Sequence, residues 1–354
     1  MFAKKKLITL AALATLAVSA QAQSSVILYG SIDVAVGRVG IVTDSAVMTT
    51  KNALVSGGLT ESYLGMKGQE DLGGGLKAFF RLESSINLAT GDAGIAADGE
   101  SANYFWDKNA YVGLSGAFGT LKLGRQESLY KLEANAFNPL GASKLSPTAM
   151  IFFDHDPQND SWTNAVGYVS PDINGLTISA QRSLMEDTIL PAGGTSKGRD
   201  ATAVAANYNA GSLGMSALYE DWSTTPNEFT ADERWRSILF GASYDFGVVK
   251  AFVQYGQSKI DGNVDGFDKE KFLQIGAIVP VTKAGSLHVS YGNYKIDGSD
   301  TYAGGKDQML TVAYNHNLSK RTGLYAGISH HKEKLEPVIS DSANTFVVGV
   351  RHAF

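Results

Sequence analysis

Polar and apolar residues alternate along most of this chain with a period of two, in segments of about ten residues. In the segment 75–87, Leu76, Ala78, Phe80 and Leu82 fall on one face and Lys77, Phe79, Arg81 and Glu83 on the other. The division recurs: Val26, Leu28, Ile32 and Val34 oppose Ser31 and Asp33; Leu176, Ile178 and Ala180 oppose Thr177, Ser179 and Gln181; Leu310, Val312 and Tyr314 oppose Thr311 and Asn315. A strand with hydrocarbon on one side and water on the other needs such a pair of faces. Connections alternate in length. Short turns at 71–75, 116–119, 171–175, 209–214, 245–248, 282–286 and 319–323 carry the Gly, Asn, Asp and Pro that tight turns demand. Long connections fall near 38–60, 87–108, 128–161, 184–199, 221–234, 257–270, 295–306 and 331–343. Seven short and eight long connections join about sixteen strands, an even count with short turns on one side and long loops on the other. The pattern predicts an all-β chain, a 16-stranded antiparallel barrel with both termini on the short-turn side.

Alternation alone does not say which face is inside. A soluble β-sandwich or lipocalin-like barrel has the same period with its apolar face inward. The two ends of the chain favour a membrane. Lys4, Lys5 and Lys6 precede an apolar run from Leu7 to Val18, and Ala20 and Ala22 complete an A-x-A cleavage pattern. Residues 1–22 therefore read as a cleaved signal peptide and 23–354 as the mature domain. At the other end Phe346, Val348, Val350, His352 and Phe354 share one strand face, and Phe354 is a terminal aromatic of the kind that barrel-assembly machinery reads. The length is also unusual for a single sandwich.

Composition adds limits rather than a class. With 44% hydrophobic and 18% charged residues the chain reads like an ordinary soluble protein, and 39 glycines suit a turn-rich sheet. No stretch after residue 22 approaches eighteen apolar residues, so a chain that enters the membrane must do so as a closed barrel. Loss of the three leader lysines takes the formal net charge from −5 to −8, which argues against a nucleic-acid partner. There is no cysteine, which is compatible with an oxidising periplasm.

Four segments resemble a known family in order along the whole mature chain. SSVILYGSIDV at 24–34, EDLGGGLKAFFRLES at 70–84, AYVGLSGAFGTLKLGRQ at 110–126 and GVRHAF at 349–354 are similar to strands of the general porins of β-proteobacteria, the Neisseria and Burkholderia type. The resemblance implies a transmembrane barrel of the Gram-negative outer membrane, a homotrimer, and a third long loop folded into the pore as a constriction. It implies diffusion of small hydrophilic solutes and ions, contact with outer-membrane lipid and lipopolysaccharide, and no cofactor. Carried over by position, Arg38, Arg81 and Arg125 form the basic side of the constriction, and Glu127 and Glu133 the acidic side. Parity supports Arg81, which opposes Phe80 and Leu82. It argues against Arg125, which shares a face with Leu121 and Leu123 unless Gly124 hosts a bulge. The sequence departs from the family at Ser62-Tyr63-Leu64-Gly65, where members carry a basic residue; strong anion selectivity is thereby in doubt.

Weaker signals complete the survey. Asp261, Asn263, Asp265 and Gly266 open like a calcium loop, but Phe272 stands where its glutamate is required. Asp154 and Asp156 flank His155, and His330 adjoins His331, with no further metal or catalytic partner identifiable by spacing. Tyr29, Tyr208, Phe246 and Phe354 are expected in an aromatic girdle. The alternatives to a diffusion channel are an outer-membrane barrel enzyme, a substrate-specific channel and a structural or adhesive barrel. No Ser/His/acid set stands out for the first. Channel conductance separates the diffusion reading from the others.

Overall fold

A computed structural model describes residues 25–42, 48–96, 103–152, 161–184, 188–189, 195–196, 200–223, 234–262, 269–298, 304–335 and 339–354. The signal-peptide reading of 1–22, together with Asp154, His155, Asp156, Asn263, Asp265 and Gly266, lies outside the described residues.

Sixteen wall positions follow in chain order: β1 (Ser25–Val42), β2 in two segments (Met48–Ser56 and Tyr63–Gly73), β3 (Leu76–Asn87), β4 (Asn109–Gly116), β5 (Gly119–Glu127), β6 (Ser161–Val169), β7 (Leu176–Ser183), β8 (Asp200–Ala210), β9 (Leu213–Ser223), β10 (Arg234–Asp245), β11 (Lys250–Asp261), β12 (Lys269–Pro280), β13 (Gly285–Asp297), β14 (Gly305–Asn317), β15 (Thr322–Leu335) and β16 (Ile339–Ala353). Each pairs antiparallel with the next. β1 pairs with both segments of β2 on one side and with β16 on the other, from Ser31↔Ala353 to Arg38↔Phe346. The sheet therefore closes on itself and leaves no edge, which is the condition for a sheet in lipid. Among the described residues no helix is long and apolar enough to cross a membrane.

The short turns fall where the sequence puts them, and their chemistry is local. Asp71 and Asp245 side chains accept from the backbone N–H of Gly73 and Gly247 at 2.9 and 2.8 Å, and both glycines have positive φ. The outer connections are shorter than expected. The stretch 38–60 contains the end of β1 and the first segment of β2, and most of 331–343 is strand in β15 and β16. Above the hydrocarbon both faces of a strand meet water, so alternation fades while the backbone ladder continues.

One face of the wall carries Val36, Leu54, Val112, Phe240, Ile275, Ile328 and Phe346, all exposed. The other carries Asp33, Glu83, Gln254, Gln274, Ser290 and Thr311, all buried. The segment 128–152 contains helix α1 (Leu129–Ala136) and a π-helical turn (Thr148–Phe152). It meets the polar face from β9 to β15: Phe137 lies against Gly214 and Gly241, Phe152 against Gly256, Pro139 against Gly276, Pro147 against Gly292 and Leu145 against Gly327. A single segment can touch the same face of so many staves of a closed cylinder only from within. The polar face is the interior, and the apolar face is turned to lipid. Tyr208, Phe246 and Phe354 are exposed on the outward side. Tyr29 is a correction: it shares the parity of Ser31 and Asp33, points inward, and donates its hydroxyl to Glu83 at 2.5 Å.

Candidate functional site

The inner segment is fixed at both ends of its helix. Ser128 caps α1 by accepting from Lys131 N–H at 3.0 Å, the usual role of a serine before a helix. Gln181 of β7 accepts from Leu129 N–H at 3.0 Å and donates to the Glu127 carbonyl at 3.1 Å. Further along, Asn138 donates to the Gly141 carbonyl at 2.9 Å and accepts from Gln274 of β12, also at 2.9 Å; Thr148 donates to the same glutamine. Lys144 N–H bonds the Gly57 carbonyl across the lumen at 3.0 Å. Beneath the segment, toward β9–β14, lies an apolar cluster that includes Tyr130, Phe152, Trp222, Trp235, Phe272 and Tyr294. Phe152 stacks on Phe272 at 4.5 Å. That side of the lumen is filled, and a second apolar cluster packs Leu140 and Leu145 with Ala35 of β1 and Leu59, while Lys67, Arg81, Tyr111 and Lys122 on the wall β2–β5 stay at least partly exposed.

Four charges meet where α1 approaches that wall. Lys108 Nζ bonds Glu61 and lies 3.0 Å from Glu127; Lys131 Nζ lies 3.2 Å from Glu61 and 3.5 Å from Glu127. The two lysines are buried, and each is shared between both carboxylates. A buried charge is tolerable only when paired, and a box of two cations and two anions meets that condition with no net charge. Burial acts to raise the Glu61 carboxyl, but Lys131 and Lys108 outweigh it and hold it at about 2. Burial and Lys131 act to lower Lys108, and Glu61 and Glu127 carry it above its ordinary value. Glu61 and Lys108 therefore remain charged throughout the neutral range.

Of the residues expected at a constriction, the structure brings together Arg81 and Glu127 and separates the rest. Arg81 faces the lumen from β3, half exposed, with Nη1 3.9 Å from Glu83. Glu83 links the two, since Asn109 donates to both Glu83 and Glu127, the latter at 3.3 Å. Glu133 turns to the wall, where Asn207 and Ser216 donate to it at 2.8 and 2.7 Å. It anchors the helix instead of facing the open side. Arg38 continues the outward row Val34-Val36, is paired with Phe346, and donates to Thr50 at 2.7 Å. Arg125 pairs with Ala110 in the ladder, donates to the Asp107 carbonyl, and lies 4.9 Å from the ring of Tyr104. Gly124 takes a φ of 130°; the β4–β5 register runs through it without a shift, whereas the β5–β6 register shifts beside it, between Trp162 and Ala165. Lys108, Lys131 and Glu61 were not anticipated. They come from three separate stretches, and no local pattern marks them. His331 pairs with Asp307 at 2.6 Å and His330 with Asn344 at 2.9 Å.

A closed sixteen-strand barrel with an apolar exterior, a polar lumen and one loop folded inside defines a porin-type outer-membrane channel. The comparisons give the family. Residues 9–334 match the model of the Gram-negative porin family, and the chain belongs to it. Outer membrane porin protein 32 of Delftia acidovorans is 31% identical, over 99% of this chain and all of that one. An outer membrane porin of Bordetella pertussis is 28% identical over the same shares. Among solved structures, an anion-selective porin from Comamonas acidovorans superposes with a TM-score of 0.77 at 26% identity, covering 94% of this chain and all of that one. The trimer form of OmpT, an outer membrane protein of Vibrio cholerae, has a TM-score of 0.70 at 12% identity and is alike in fold alone. The chain is an outer-membrane porin, a channel for passive diffusion.

Proposed function

We propose that the segment 128–152 constricts the channel, and that small hydrophilic solutes pass between it and the wall β1–β5 with a mild preference for anions. The observation that carries this reading is the asymmetry of charge. Glu61 and Glu127 are neutralised by Lys108 and Lys131. On the wall, Lys67 and Arg81 lie on facing ladder positions of β2 and β3, Lys122 stands on β5 opposite Gly113, and Glu83, the carboxylate beside Arg81, is buried. Arg81→Ser should move the reversal potential in a salt gradient toward cations, with the permeability ratio changing by about two- to fivefold at low salt. The shift should shrink at high salt, where screening falls to about 3 Å at 1 M. A parental reversal potential at low salt would remove Arg81 from the constriction.

The assembly reading has three parts: cleavage after Ala22, a homotrimer, and outer-leaflet lipopolysaccharide held on the outward wall. At the outer ends of β12, β14 and β15 the sequences Lys269-Glu270-Lys271, Lys306-Asp307 and Lys332-Glu333-Lys334 turn their lysines outward and their acids inward. Lys295 of β13 joins the outward row, and Asp297 is shared by Lys271 and Lys295 at 2.8 and 2.7 Å. A basic band just above the apolar belt suits the phosphates of an outer-leaflet glycolipid. Native mass measurement in mild detergent should give three copies of a subunit starting at Gln23, with lipopolysaccharide retained. Replacing Lys269, Lys271, Lys306 and Lys332 by glutamine should release the lipid. A monomer, an uncleaved subunit, or equal lipid retention in the variant would each overturn its own part.

A further inference from the structure

We propose that the lumen wall of β1–β5 is a binding face for aromatic anions, small carboxylates that carry a ring. The proposal rests on the channel reading above and names its preferred solute class. The ladder register places rings and cations side by side on this wall. Lys67 faces Arg81 across β2 and β3, and Arg81 faces Tyr111 across β3 and β4. Lys67 Nζ lies 4.6 Å from the centre of the Tyr29 ring, and Lys122 Nζ 5.5 Å from that of Tyr111. The rings also meet edge to face, Tyr29 with Tyr63 at 6.1 Å and Phe79 with Tyr111 at 6.2 Å.

Neither structural role available to aromatic residues in this barrel accounts for these rings. They are on the inward parity, so they are not part of the lipid-facing girdle. They are absent from the apolar cluster under the inner segment. All four are only partly buried. Tyr29 lies over Gly65 and Phe79 over Gly113, so that a side chain at either glycine would collide with the ring. The rings are thereby held against the wall beside the cations, in the open part of the lumen. The carboxylate of the patch, Glu83, is buried and accepts from Tyr29 and Asn109, which leaves the exposed charge positive.

A ring-bearing carboxylate matches both components. Its carboxylate meets the forked donors of Arg81, and its ring packs edge to face or offset against Tyr111 and Phe79. An aliphatic acid of the same size and charge keeps the first contact and loses the second. The test uses the full-length porin in planar bilayers, with KCl current read while benzoate or cyclohexanecarboxylate is added. Benzoate should half-block the current at about three- to tenfold lower concentration, an aromatic preference of the size that ring pairs confer. Cyclohexanecarboxylate is the more apolar of the two, so general hydrophobic adsorption predicts the reverse order. In the double variant Phe79→Leu, Tyr111→Leu the two half-block concentrations should converge. Equal block of the parent by the two acids overturns the proposal even if the variant does not fold. Persistence of the benzoate preference in a folded variant also overturns it. A parent with no KCl conductance at all would instead refute the channel reading on which the proposal rests.

Discussion

Gly241→Leu should unseat the inner segment and raise single-channel conductance roughly twofold, with added current noise, since a sixteen-strand barrel is wide enough to conduct freely once its lumen is cleared. Gly241 lies on the inward face of β10 under Phe137. A Cβ there would stand 2.5 Å from the Phe137 Cγ and 3.0 Å from its Cβ. Those are the atoms nearest the Phe137 backbone, so no change of ring rotamer relieves the collision and residue 137 itself must withdraw. Phe137 is the C-cap of α1, and the helix moves with it. The bonds from Asn207 and Ser216 to Glu133 are then put at risk, each worth about 1.5–3 kcal/mol as a bond to a charged group. Phe137→Ala added to Gly241→Leu removes the ring that collides and should return conductance toward the parental value. The pair is in direct contact, so strong non-additivity is the expected signature. Parental conductance and noise in Gly241→Leu alone would mean that the segment is not seated there or does not limit the current.

The seat illustrates what the sequence conceals. Gly241, Gly256, Gly276, Gly292 and Gly327 each read as an ordinary small residue in an alternating strand. Only the structure shows them under Phe137, Phe152, Pro139, Pro147 and Leu145. The charge box is hidden for the same reason, since Glu61, Lys108, Glu127 and Lys131 are brought together by tertiary folding. The strands were legible because lipid on one side and water on the other impose a period of two on every stave, and the turns because Asp and Gly act locally. Where that physics lapses, at the outer strand ends, alternation predicts longer loops at 38–60 and 331–343 than the structure has. Arg38 stands at the end of the first strand, where alternation fades, and only the register shows it continuing the outward row Val34-Val36. Glu133 could not have been placed without knowing which face of a short helix meets the wall.

Closure of the barrel depends on the seam between β1 and β16, and Gly37→Val should abolish it. Strands in a sheet lie about 4.8 Å apart, and β1 approaches β16 here without room for a side chain. A Cβ on Gly37 would collide with the Phe346 carbonyl oxygen and stand 2.8 Å from the Val347 Cα. Both are backbone atoms, so the strands themselves must separate. An unclosed seam leaves backbone groups without partners in hydrocarbon, at several kcal/mol each, so the heat-modifiable folded form should fall below about a tenth of the parental amount. Val36→Leu, one residue away on the lipid-facing side, should fold normally. Removal of Phe354 tests the same seam differently. Its backbone exchanges bonds with Gly30 at 3.1 and 3.3 Å, and its ring covers that glycine. If Phe354 acts as an assembly signal, the deletion should accumulate in the periplasm of cells yet refold from denaturant into detergent as the parent does. Failure in both settings would assign Phe354 to closure alone, and success in both would leave it without either role. A Gly37→Val protein that remains heat-modifiable at parental yield would show that the β1–β16 register is not the one that closes the barrel.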